Sequence, residues 1–312
     1  MKAIRVERLG EPEVLELKEV DSPAAPAEGE VSIRVQAAGV NPVDCKMRRR
    51  PAPPAWGLTL PFTPGWDVAG VVQEAGPGAG GFKPGDFVFG LVAFPRPGRA
   101  YAEMTVVPAA DLAARPAGID AVHAAAVPLA ALTAWQALFD AGALAAGQRV
   151  LIHAAAGGVG HFAVQLAKWR GAHVIGTASG GNVDFVRGLG ADEVIDYTRA
   201  PLGGAVADLD LVLDTIGGET RASSWPLLKR GGVLLSIVGE PDQAASEAHG
   251  VRGKGVFVHP SGSQLAEIAA LLAAGTVRPH LDRAYPLAEA AAAHSQVEGG
   301  HVRGKVVLRV QD

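Results

Sequence analysis

The sequence predicts an α/β fold in which a doubly wound parallel sheet is joined to a second, β-rich region. Three observations carry this. From about residue 123, short apolar runs alternate with helical patterns, the texture of right-handed βαβ crossovers around a parallel sheet. A glycine turn, His153-Ala154-Ala155-Ala156-Gly157-Gly158-Val159-Gly160, stands between one such run and one such helix. Up to about residue 122 the runs are shorter and Gly or Pro separates them, as in strands joined by tight turns.

In chain order, Val31-Ser32-Ile33-Arg34-Val35 and Val68-Ala69-Gly70-Val71-Val72 read as strands. Lys83-Pro84-Gly85-Asp86 is a turn, because Pro presets φ and Gly accepts a positive φ; the run Phe87-Val88-Phe89-Gly90 follows it. The stretch from Met47 to Pro64, with Arg48-Arg49-Arg50, five prolines and Trp56, reads as a loop with a solvated basic start. Arg149 to Ala155 is a strand. The helix Gly158 to Arg170 shows Val159, Phe162, Ala163, Leu166 and Ala167 on one face. Strands are expected at 173–177, 193–196, 211–214, 233–238 and 255–258, with a short helix at 184–189. Helices at 264–274 and 288–294 and a last strand at 305–310 complete the chain.

Composition narrows the function. With 28 Lys+Arg against 32 Asp+Glu the formal net charge is −4, and the basic excess of a nucleic-acid protein is missing. Gly 40 and Pro 22 of 312 residues are about a fifth of the chain, against roughly 12% in an average protein. Apolar residues still make up 48%, so disorder is excluded. The one cysteine, Cys45, rules out an intrachain disulfide and a four-cysteine zinc lobe. No apolar run reaches the ~18–20 residues that span a bilayer, and Met1-Lys2-Ala3-Ile4-Arg5 lacks the apolar core of a secretory signal. A cytoplasmic location is the expectation.

The glycine turn is the sharpest signal. Gly157 or Gly158 lets the backbone approach a pyrophosphate, Gly160 permits close helix–strand packing, and the helix N-terminus supplies N–H donors. The first position of the dinucleotide fingerprint is Ala155 rather than Gly. An NAD site usually carries an acid at the end of the second strand, to bond the ribose 2′-hydroxyl. Here that end reads Gly176-Thr177-Ala178-Ser179-Gly180-Gly181-Asn182. With no acid present, and with Ser179 and Asn182 as donors, NADPH is favoured over NADH.

These segments resemble the medium-chain dehydrogenase/reductase superfamily, and more closely its zinc-independent quinone oxidoreductase-like branch. The resemblance also rests on Ala37-Ala38-Gly39-Val40-Asn41-Pro42-Val43-Asp44, Pro64-Gly65-Trp66-Asp67, Leu132-Thr133-Ala134-Trp135, Leu189-Gly190-Ala191-Asp192-Glu193-Val194-Ile195-Asp196-Tyr197 and Arg303-Gly304-Lys305-Val306-Val307. It implies a Rossmann-type doubly wound parallel sheet at 123–260 plus a β-rich GroES-like domain formed by 1–122 with 261–312. Zinc-dependent relatives place a Cys where this chain has Asn41, and Gly-His-Glu where it has Gly65-Trp66-Asp67. An amide and an indole cannot replace a thiolate and an imidazole, so no metal is expected.

The resemblance further implies a nicotinamide held between the two domains. Asn41 and Thr133 would lie near it. Gly157, Gly158, Val159 and Gly160 would hold the pyrophosphate. Ser179 and Tyr197 would face the adenosine side, and Val238, Gly239, Phe257 and Val258 the nicotinamide ribose and carboxamide. Lys305 would reach toward the cofactor phosphates. Each has a plainer reading: Thr133 as a cap or core residue, Tyr197 and Lys305 as exposed side chains. His259 is either a substrate contact or structural. Relatives that use NADPH often have Lys or Arg shortly after the position of Ser179, where this chain has Gly180-Gly181.

No Ser-Lys-Tyr or His-Asp relay stands out, which suits an acceptor activated by conjugation, a quinone or an enone. The oxygen that gains charge needs a hydrogen-bond donor; the Asn41 amide or a backbone N–H could supply it. Asp44 is either a proton-relay member or the cap of the Asn-Pro-Val-Asp turn. The alternatives are an activated-alkene reductase, or a non-catalytic NADPH-binding sensor or crystallin-like protein. A homodimer is expected by resemblance alone.

Overall fold

The computed structural model describes residues 1–199 and 206–311. The chain divides into two compact units, one of residues 1–132 and 259–312 and the other of residues 133–258.

The first unit opens with an antiparallel pair, β1 (Lys2–Val6) and β2 (Leu15–Glu19). Its main sheet begins with β3 (Glu30–Val40), followed by helix α1 (Pro42–Arg49). Strands β4 (Asp67–Ala75), β5 (Phe87–Leu91), β6 (Met104–Pro108) and β7 (Leu112–Ala114) follow. Helix α2 (Ala121–Ala125) packs on β3 and β4, which keeps it in this unit although the sequence texture changes near 123. Helix α3 (Pro128–Trp135) comes next.

Helix α1 corrects the expectation of a loop starting at Met47. Pro42 occupies the first turn, where its missing N–H costs nothing, and residues 47–49 finish the helix. Arg48 is not on a solvated face either. Its side chain is fully buried and donates to Glu298 Oε1 at 2.6 Å. Arg49 does stay at the surface, 3.0 Å from Glu11.

The second unit is the doubly wound sheet. It contains β8 (Arg149–Ile152), α4 (Gly160–Trp169), β9 (His173–Ala178), α5 (Val183–Gly188) and β10 (Glu193–Asp196). After them come β11 (Leu209–Asp214), α6 (Gly218–Ala222), β12 (Leu228–Ser236), α7 (Gln243–His249) and β13 (Arg252–Gly255). The six strands are all parallel, in the order β10-β9-β8-β11-β12-β13. The winding reverses between β8 and β11, where doubly wound sheets bind ligands at their carboxyl ends. The central strands are apolar and buried on both sides.

Strand β13 runs over Arg-Gly-Lys-Gly rather than the expected 255–258, so Phe257 and Val258 lie beyond its end. An edge strand has no apolar run to betray it. β12 starts five residues before the expected 233, across Lys229 and Arg230, with a register shift in its pairing to β11.

The chain then returns to the first unit with α8 (Gly262–Ala273), β14 (Leu281–Pro286), α9 (Ala290–Glu298) and β15 (Lys305–Arg309). β15 pairs antiparallel with β3 and parallel with β14, so the sheet order is β14-β15-β3-β4-β5-β7, with β6 also on β3. Ile4, Ile33, Val35, Val68, Val88, Tyr101 and Leu308 lie in its buried core. Among the described residues no helix is long and apolar enough to cross a membrane.

Candidate functional site

The glycine turn follows β8. Ala154 takes a φ of 45°, and the Gly157 N–H donates to its carbonyl at 2.8 Å. Gly160 then starts α4. A Cβ on Gly160 would lie 2.2 Å from the Ala154 carbonyl oxygen and 2.8 Å from Ala155 Cα. Both are backbone atoms that cannot swing aside, so only glycine fits. No side chain caps α4. With the Gly157 N–H spent on Ala154, the backbone of Gly158, Val159 and Gly160 brings the first-turn N–H groups and the positive end of a helix dipole to the reversal point of the sheet. This is a fit for a pyrophosphate.

The turn is anchored from below by a residue that the sequence did not mark. His153 is buried, with Nε2 2.8 Å from Ser224 Oγ and Nδ1 3.3 Å from Thr177 Oγ1. Burial holds its imidazole neutral, with a pKa of about 4. Thr215 Oγ1 donates to the His153 carbonyl at 2.9 Å. A histidine inside an apolar run gives no signal of these partners, which come from β9 and from the chain after β11 and α6.

The other expected cofactor contacts of this unit lie just past the carboxyl ends of strands. Ser179 follows β9, and Asn182 Nδ2 donates to its hydroxyl at 3.1 Å. Tyr197 follows β10, its N–H donating to the Ala178 carbonyl at 3.2 Å. Val238 and Gly239 follow β12, and Phe257 and Val258 follow β13. Tyr197, Val238 and Phe257, together with Ile216 beyond β11, are 39–61% exposed; Val258 is buried. The four exposed residues follow the ends of four different strands of the sheet. Thr133 is buried inside α3.

Two of the strand-end loops are tied together by Arg221 on α6. Its Nη1 donates to the carbonyls of Gly239 and Glu240 at 3.1 and 3.2 Å, and its Nε lies 3.7 Å from Asp214 Oδ2. Asp214 in turn accepts from the N–H groups of Ile216 and Gly217 and from the Ser236 hydroxyl. The sequence gives no sign of the clasp, because Arg221 reaches across 18 and 19 positions to Gly239 and Glu240.

The first unit carries a different centre. Register alone assembles it: Val306 faces Val40 across β15 and β3, and Asp67 faces Gly39 across β4 and β3. Asn41 Nδ2 donates to Asp67 Oδ2 at 2.9 Å, and the Lys305 ammonium donates to Asn41 Oδ1 and, at 3.2 Å, to the Val40 carbonyl. Lys305 Nζ lies 3.7 Å from Asp67 Oδ2, and Asp67 Oδ1 accepts from the Leu129 N–H at 2.7 Å. All three side chains are buried. Burial raises the Asp67 carboxyl and lowers the Lys305 ammonium, while their proximity opposes both shifts. Lys305 is thus neither exposed nor extended toward a phosphate; its ammonium is spent on Asn41, Val40 and Asp67.

Asp44 sits beside this centre as a cap. Its Oδ2 accepts from the Asn41 N–H at 2.8 Å, and its own N–H donates to the Asn41 carbonyl at 3.0 Å. Burial pushes the carboxyl up to about 7, against the pull of the Asn41 hydrogen bond. Cys45 is buried next to it and pushed up to about 12, also by burial, so its thiol is unreactive. Trp66 donates its indole N–H to the Arg96 carbonyl at 2.7 Å, and its ring stands edge-on to Trp56 and Phe94. His259 is exposed, with Nδ1 3.1 Å from the Pro260 carbonyl oxygen. Among the described residues no three or more His, Cys, Asp or Glu are grouped to hold a metal ion.

Comparison with known proteins agrees with this architecture. The family model described as "Alcohol dehydrogenase GroES-like domain" matches residues 27–117, and the one described as "Zinc-binding dehydrogenase" matches residues 189–308. The chain is 34% identical to "NAD(P)H oxidoreductase RTN4IP1, mitochondrial" of Danio rerio, over 100% of this chain and 92% of that one. A quinone oxidoreductase structure from Coxiella burnetii superposes with a TM-score of 0.92 at 34% identity, covering 100% and 99% of the two chains. The Escherichia coli quinone oxidoreductase complexed with NADPH superposes with a TM-score of 0.87 at 28% identity, covering 99% and 100%. The chain belongs to the medium-chain dehydrogenase/reductase superfamily, in its quinone oxidoreductase-like branch.

Proposed function

We propose that the protein is an oxidoreductase that uses NADPH to reduce quinones or other conjugated carbonyls without zinc. The observation that carries this is the uncapped helix start at Gly157–Gly160, packed so closely on Ala154 that no other residue than Gly160 fits. When bound, the cofactor supplies the hydride. The chain's own part is to hold and orient it. The backbone of Gly157 to Gly160 takes the pyrophosphate, Ser179 and Tyr197 flank the adenosine end, and Val238, Gly239, Phe257 and Val258 border the nicotinamide end. The names of the relatives support the reaction class.

Independence from zinc rests on side-chain chemistry. At the positions where zinc-dependent relatives carry ligands, Asn41 and Asp67 close on the ammonium of Lys305, and Trp66 offers an N–H that is already donated. That amide is therefore engaged, and a backbone N–H is the better donor to the acceptor's oxygen. The same reading expects a homodimer and a cytoplasmic location.

One observation favours a second reading, a non-catalytic NADPH-binding protein. Asn41 and Asp44, the two residues expected to take part in chemistry, are both buried and bonded within the first unit. Following NADPH absorbance with a panel of quinones and enones separates the two. Turnover supports the enzyme, stoichiometric binding without turnover on any acceptor supports the second reading, and absence of binding defeats both.

A further inference from the structure

The second strand of the parallel sheet ends without an acid of its own, but its neighbour supplies one. β10 runs parallel to β9 with Asp196 opposite Ala178, which places the Asp196 carboxylate against the turn after β9. A Cβ on Gly180 would lie 2.8 Å from Asp196 Oδ2. The glycine at that position is therefore a vacancy for the carboxylate, where the relatives that use NADPH often place a cation. The two oxygens of Asp196 are used differently. Oδ1 accepts from the Thr198 N–H at 3.0 Å and from its hydroxyl at 2.6 Å. Oδ2, the oxygen facing Gly180, lies 3.4 Å from Arg199 Nε. Arg199 is 85% exposed along its side chain, so its guanidinium is open to solvent on the side not spent on Asp196. These hydrogen bonds, the Thr198 hydroxyl first, keep Asp196 below the ordinary carboxylate value.

An ionised carboxylate at this place, left alone, would accept from a ribose 2′-hydroxyl and repel a 2′-phosphate. A guanidinium carried on it reverses that preference, because its planar fork pairs with phosphate oxygens. We propose that Arg199, held by Asp196 at the end of β10, is the cation that recognises a 2′-phosphate, and that this pair sets the choice between phosphorylated and unphosphorylated dinucleotide. This rests on the nucleotide-binding reading above and adds to it the residue that decides specificity. It also accounts for a chain that lacks Lys or Arg after Ser179.

Binding, independent of turnover, tests it. Calorimetric titration of the full chain with NADP+, NAD+, 2′,5′-ADP and 5′-AMP gives the discrimination directly. Arg199→Ala should weaken NADP+ and 2′,5′-ADP by about tenfold or more, the size of a lost charge-assisted hydrogen bond, and leave NAD+ and 5′-AMP unchanged or tighter. Arg199→Lys should recover part of the loss. Asp196→Ala in the Arg199→Ala background should weaken NAD+, because the acceptor for the 2′-hydroxyl is gone. Equal effects of Arg199→Ala on both dinucleotides, or none, overturn the inference while leaving the nucleotide site intact. A wild-type chain that binds no dinucleotide removes the underlying reading itself and the inference with it.

Discussion

The two polar centres of the molecule are made of opposite materials. After β8 the chain offers backbone: glycines, an uncapped helix start, and one neutral histidine beneath. At the end of β3 it buries two charged side chains from two other strands, Asp67 of β4 and Lys305 of β15, closed on Asn41. The first arrangement is local in sequence and forgiving of charge. The second is non-local and stands only while every member is present. A site made for an outside anion leaves donors free, whereas a buried ion pair must satisfy itself.

The sharpest way to break this comparison is to remove one charge from the second centre. Lys305→Met leaves Asp67 buried without its cation and should cost about 3–5 kcal/mol of stability. The Lys305→Met/Asp67→Leu double variant should recover a good part of that in urea unfolding. Additive losses would show that the pair is not coupled.

Acid separates the centres next. His153 has a folded pKa of about 4 against 6.5, so the unfolded chain takes the proton first. Stability is lost as pH falls from 6.5 toward 4, by up to about 3 kcal/mol. His294, at about 3, acts in the same direction from the first unit. Asp44 opposes them. With its carboxyl at about 7 against 3.8, the folded chain holds the proton, and stability falls as pH rises from 3.8 to 7. His153→Asn should flatten the acid loss and Asp44→Asn should steepen it, read as urea midpoints across pH 4–7.

Gly160→Ala tests the backbone centre. The added methyl meets the Ala154 carbonyl and should cost about 1–3 kcal/mol, with NADPH binding lost in calorimetry. Retained binding would contradict the close helix–strand packing. The smallest effect is expected from Arg221→Met. Loss of its hydrogen bonds to Gly239 and Glu240 should cost about 1 kcal/mol in stability and raise the KM for NADPH more than it lowers kcat.

What the sequence made legible follows the same division. The glycine turn, α4 and most of the parallel strands were readable because they depend on neighbours within a few residues. The edge strand β13 was misplaced because Arg-Gly-Lys-Gly carries no apolar run. Arg48 reads as solvated in the sequence because its partner, Glu298, is 250 positions away. For Lys305 the resemblance implies an outside phosphate and the local sequence allows an exposed side chain, because the register of β15 on β3, which turns it onto Asn41, has no local signature. Asp196 escaped as the acid near the second strand because it arrives from the adjacent strand.

The proposed hydride transfer from a nicotinamide without zinc is measured directly by the rate of quinone-dependent NADPH oxidation before and after exhaustive dialysis against a metal chelator. Equal rates are expected, unchanged when zinc is added back. A rate that vanishes on chelation and returns with zinc would contradict it.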